Sequence, residues 1–139
     1  MARKKRISRG ERYVALRFHM LESDAWKALT TIERCVLIEI MHRHMGTNNG
    51  KISYSVREGA AALRAGKATI ARALNRLVEL GFLVRTKIGA FSLKSRHATE
   101  WRVTAFDCDG PATKDFMRWR SSDRIAADAH GNQTPPGKL

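Results

Sequence analysis

Ser55 to Gly81 reads SVREGAAALRAGKATIARALNRLVELG, and its punctuation divides it into two helices joined by a tight break. Ser55 and Glu58 have the spacing of a capping box, in which the hydroxyl accepts from an amide three residues on and the carboxylate reaches back. A short alanine-rich helix therefore starts there and runs to about Leu63. Arg64 to Gly66 breaks the pattern, and Lys67 to Leu80 resumes it as a longer helix. Gly81 stands just past its last turn, where a left-handed residue ends a helix. At about 100° per residue, Ile70, Leu74 and Leu77 fall on one stripe. Ala68, Arg72, Asn75 and Glu79 fall opposite it, with Thr69 and Arg76 on the flank. One face packs and the other is free to read a partner.

Towards the C-terminus, Phe82 to Lys87 alternates as a strand, Ile88 to Ala90 turns, and Glu100 to Phe106 returns with Trp101 and Val103 on one face. Residues 88–99 are then a basic hairpin loop. Towards the N-terminus, Asn48-Asn49-Gly50 is a turn, and Lys51 to Tyr54 is a short strand. Thr30 and Glu33 form another capping box, opening a helix that ends near Gly46. That helix is apolar on more than one face, through Ile32, Cys35, Val36, Leu37, Ile38, Ile40 and Met41. Ser23 caps a brief helix through Leu29 whose Trp26 is expected in the core. Alternation from Tyr13 to Leu21 predicts a strand or extended segment laid on the core. Residues 107–120 form a C-terminal extension in which Asp115 caps a single turn containing Phe116 and Trp119. Residues 121–139, with Gly-Asn-Gln-Thr-Pro-Pro-Gly, are expected to be a disordered tail, and residues 1–12 a flexible arm.

The chain has 139 residues, enough for one domain of ordinary size, expected over 13–106. Lys and Arg number 26 against 13 Asp and Glu, a formal charge of +13, and an excess of that size points to a polyanionic partner. The density is highest in the arm, where Arg3, Lys4, Lys5, Arg6 and Arg9 are placed to follow a phosphate backbone or enter a minor groove.

Ala60 to Leu63, the break at Arg64 to Gly66, Lys67-Ala68-Thr69-Ile70-Ala71-Arg72-Ala73-Leu74, then Leu77, Leu80 and Gly81-Phe82-Leu83 together resemble the helix-turn-helix of bacterial winged-helix regulators. Thr99-Glu100-Trp101-Arg102-Val103-Thr104 is similar to the final wing strand of phage and plasmid replication and regulatory proteins. The resemblance covers about residues 30–106 and implies an α+β fold with a single winged helix-turn-helix domain. It departs from the pattern at Arg64, where such turns commonly carry Gly, and at Gly66, where they carry Ser or Thr. Arg in a left-handed conformation costs on the order of 1 kcal/mol.

On that reading the Lys67 to Leu80 helix enters the major groove. Ala68 leaves room for base edges, Arg72 offers a bidentate contact to guanine and Asn75 one to adenine. Lys67 and Thr69, at the helix N-terminus, meet phosphate, with Arg76 beside them. Lys87, Lys94, Arg96, His97 and Arg102 supply the wing. Double-stranded DNA is the expected partner, and transcriptional regulation at a bacterial or mobile-element locus the expected role. Origin binding in phage or plasmid replication or partition is the alternative. A protein of another class, binding RNA or the ribosome, would rely on the arm and tail instead. A homodimer is expected through the spare apolar side of the Thr31 to Met45 helix with Phe116 and Trp119.

Other chemistry finds little support. His42 and His44 are two apart on a helix and point away from each other, and His19, His97 and His130 have no ligand spacing, so no metal is expected. Asp107, Asp109 and Asp115 read as solvated loop acids rather than a nuclease cluster. No Walker loop, Gly-x-Ser-x-Gly or His-Glu-x-x-His occurs, so neither catalysis nor a cofactor is expected. Cys35 and Cys108 build no disulfide framework, no apolar run is long enough for a membrane span, and the basic N-terminus is not expected to act as a secretory signal. The cytoplasm is the expected compartment.

Overall fold

A computed structural model describes residues 11–91 and 96–121. Val14 and Leu16 pack against the core as part of the expected strand or extended segment, but its end from Phe18 is helical instead. The Met20 and Leu21 amides both donate to the Arg17 carbonyl, closing one helical turn, α1 (Phe18–Leu21). Strict alternation would have sent Phe18 and Met20 to the same side, whereas the turn separates them. Met20 enters the core at 2% exposure and Phe18 stays 80% exposed. In α2 (Asp24–Ala28), the Ser23 hydroxyl accepts from the Trp26 amide and itself donates to the Met20 carbonyl at 2.6 Å. Trp26 is half-buried against the core.

Both capping boxes form. Before α3 (Thr31–His42), the Thr30 amide donates to Glu33 Oε2 at 2.6 Å and the Glu33 amide to Thr30 Oγ1. Before α4 (Val56–Leu63), Ser55 and Glu58 make the same exchange at 2.9 and 3.1 Å. Each capping side chain is worth about 1 kcal/mol. α3 stops about a turn before Gly46 because Asn48 competes for its end: Oδ1 accepts from the Met45 amide, and Nδ2 donates to the Arg43 carbonyl.

The sheet is antiparallel and three-stranded, ordered β1 (Ile52–Ser53), β5 (Glu100–Val103), β2 (Leu83–Lys87). Ile52 pairs with Trp101, Leu83 with Val103 and Arg85 with Trp101, and the register shifts between Arg85 and Lys87. β5 ends at Val103, short of Phe106, since Asn49 accepts from the Val103 amide and donates to the carbonyls of Val103, Phe106 and Asp107. Within 88–99, expected as a loop, β3 (Ala90–Phe91) and β4 (Arg96–His97) form a ladder of their own.

The core lies between α3, α5 (Lys67–Glu79) and one face of the sheet: Val36, Leu37 and Ile40 meet Ile70, Leu74 and Leu77 over Ile52, Leu83, Trp101 and Val103, all at most 3% exposed. A 3-10 turn (Asp115–Arg118) closes it. Lys114 holds the cap position, so Asp115 is the first residue of the turn and not its cap. Phe116 is 0% exposed and stacks on Phe82 with centroids 4.9 Å apart. Expected at a partner surface, it is a core residue. Helices on an antiparallel sheet make this an α+β arrangement. Among the described residues no helix is long and apolar enough to cross a membrane.

Candidate nucleic-acid interface

α4 and α5 meet at a glycine. A Cβ on Gly59 would lie 2.8 Å from Ile70 Cγ2 and 2.8 Å from the Tyr54 hydroxyl, so only hydrogen lets the two helices approach this closely. The chain then leaves α4 through Arg64 at φ 51° and ψ 47°, the left-handed conformation that the break requires, and the Ala65 amide returns to the Ala60 carbonyl. Gly66 stands at the N-cap of α5 and offers no side chain. The first amides of α5 consequently have no side-chain cap, which leaves donors at the positive end of the helix dipole for an anion.

Packing of Ile70, Ala73, Leu74 and Leu77 fixes the rotation of α5. Ala68, Arg72 and Asn75 are exposed as the 100° spacing requires, Lys67 is exposed at the first position of the helix, and Thr69 is half-buried. Arg76 is turned towards the protein: Nη1 donates to Glu79 Oε1 at 3.0 Å, and its guanidinium lies 6.0 Å from the Trp119 ring.

A residue that the sequence reading missed joins this face. Arg85, on β2, places its guanidinium 5.0 Å from the Trp101 ring centroid and donates from Nη2 to Asn75 Oδ1 at 3.0 Å. No strand period signalled it, since the register shifts between Arg85 and Lys87. The ring beneath it is fixed in turn: Trp101 Nε1 donates to the Tyr54 carbonyl at 3.0 Å. Arg57 and Arg64 are further exposed cations on the helix pair.

Of the wing residues, Lys87 is exposed at the end of β2, and Arg102 is half-buried with Nη1 donating to Thr113 Oγ1. The Gly89 amide donates to Thr99 Oγ1, tying the two limbs at the base of the hairpin. Arg96 and His97 form β4 through their backbone, and their side chains lie outside what is described. Lys94 and the arm residues Arg3, Lys4, Lys5, Arg6 and Arg9 also lie outside the described residues.

Behind the face, a charged latch joins α3 to α4. Arg43 Nη1 bonds Glu58 Oε2 at 3.0 Å and the Ser53 carbonyl at 2.7 Å, and its guanidinium lies 4.7 Å from the Tyr54 ring. Burial alone would raise the Glu58 carboxyl, but the Ser55 amide and the Arg43 guanidinium outweigh it and hold Glu58 below its usual range. Tyr54, whose hydroxyl is buried with no hydrogen-bond partner among the described residues, is pushed up to about 12, chiefly by burial. Among the described residues no three His, Cys, Asp or Glu side chains gather as metal ligands.

The arrangement presents hydrogen-bond donors and positive charge on a rigid helix and an adjoining strand, which suits an acceptor-rich anionic surface. Comparison with protein-family models, with curated proteins and with solved structures found no match for this chain.

Proposed function

We propose that the chain is a sequence-specific double-stranded DNA-binding protein of the winged helix-turn-helix type. α5 lies in the major groove, while the hairpin after β2 and the arm hold the backbone. One observation carries the reading: Ala68, Arg72 and Asn75 are exposed along one side of a helix whose other side is locked into the core, with Lys67 exposed at its N-terminus. The formal charge of +13 supplies the affinity for phosphate, and the uncapped start of α5 supports backbone contact there. Transcriptional regulation is the role we assign, because a small reader without catalytic motifs acts by occupying a site.

Titration of the wild-type chain and the Arg72→Ala variant on a selected duplex and on random duplex tests this. Loss of a base contact costs about 1–3 kcal/mol on the selected site and little on random DNA. An equal loss on all nucleic acids would mean that Arg72 only meets phosphate, as expected for an architectural or RNA-directed protein.

A further inference from the structure

Asn75 does not present a free amide. Its Oδ1 is held by Arg85 Nη2 at 3.0 Å, and since guanidinium has donors only, the oxygen must be the atom that faces it. Arg85 is seated by the Trp101 ring, and Trp101 by the Tyr54 carbonyl, so the pair is anchored in the core at one end. What remains outward is the Nδ2 amide group beside a guanidinium. Reading adenine through a bidentate contact requires the asparagine oxygen to accept from the N6 amino group while Nδ2 donates to N7. With Arg85 on that oxygen, the N6 amino group would approach the donors and charge of the guanidinium. Guanine presents two acceptors, N7 and O6, to the same place.

We infer that Arg85 is a specificity-determining residue, converting Asn75 from an adenine reader into half of a donor-only pair that selects guanine. The inference rests on the DNA-binding reading above and replaces the adenine contact expected for Asn75 from sequence. Arg85 acts as a positioning residue for Asn75 and as a direct donor to the same base.

Selection from randomised duplex DNA, run with the full chain as wild type, Asn75→Ala and Arg85→Met, decides it. Asn75→Ala identifies the base position concerned as the one whose preference it flattens. Wild type prefers guanine there over adenine by about tenfold, the size of one good base contact. Arg85→Met keeps an apolar stem over Trp101 but no donor, and it reverses that preference towards adenine while the remaining positions keep theirs. Circular dichroism and thermal unfolding of both variants match wild type, since both side chains are exposed. An adenine preference in wild type, an unchanged preference in Arg85→Met, or an Asn75→Ala variant with an unaltered motif overturns the inference and leaves DNA reading standing. A wild-type chain that enriches no motif overturns both.

Discussion

At the scale of single residues, Arg64, like Asp109 and Lys114, departs from intrinsic preference by holding a left-handed backbone without being glycine. Its φ of 51° belongs to the region where a Cβ is crowded, and the side chain is exposed. The strain is therefore not offset by burial. Arg64→Gly is expected to stabilise the protein by about 1 kcal/mol in denaturant unfolding, and a loss of stability would show that the arginine side chain holds the turn. The left-handed position was legible through the resemblance, because turns of that type commonly carry Gly where Arg64 stands. Ala68, Arg72 and Asn75 were legible because helical spacing alone assigns a face, and Lys67 because it stands at the start of a helix. Arg85 was not, because its role depends on the distance between a strand and a helix, which no local period carries.

At the scale of elements, the caps were the most readable features, since Thr30, Ser55 and Gly81 satisfy or end a helix by chemistry within four residues. Phe18–Leu21 was misread for the opposite reason: the alternation before it gives no sign of where the chain turns, and the demand to bury Met20 rather than Phe18 comes from the core. Gly81 shows how far a local signal reaches. It ends α5 at φ +87°, and a Cβ there would also lie 2.8 Å from the backbone of Asp115 and of Phe116. Gly81→Ala is expected to cost at least about 3 kcal/mol, more than the left-handed strain alone, because the 3-10 turn must move off Phe82. Chemical denaturation measures this, and a cost of only about 1 kcal/mol would show that the turn yields freely.

At the scale of the whole molecule, titration and charge set the conditions under which the fold and its interface work. His44 stacks on Phe106 with centroids 4.4 Å apart, and burial lowers it from its ordinary 6.5. A base with a lowered value in the fold contributes stability above pH 6.5 that is lost on acidification, because the unfolded chain takes the proton first. Glu58, lowered from 4.5, has the same sign and loses its contribution as pH falls below that value. Thermal stability is thus expected to fall from pH 7.5 to pH 5 with a further step below 4.5, and His44→Phe to flatten the first of these. A wild-type profile with no change between pH 7.5 and 5 would contradict the assignment. Net charge is the property most directly legible in the sequence, whereas the packing of residues 107–120 onto the core was not, since Phe116 stands in a stretch without period. The central claim is that α5 reads base edges in DNA and that the charge supplies the backbone affinity. Enrichment from randomised duplex DNA by the wild-type chain at low and at moderate salt tests it most directly. The account predicts one defined motif at both concentrations, its preference at the Arg72 position lost in Arg72→Ala, with affinity falling as salt rises. Salt-sensitive binding that enriches no motif would contradict it.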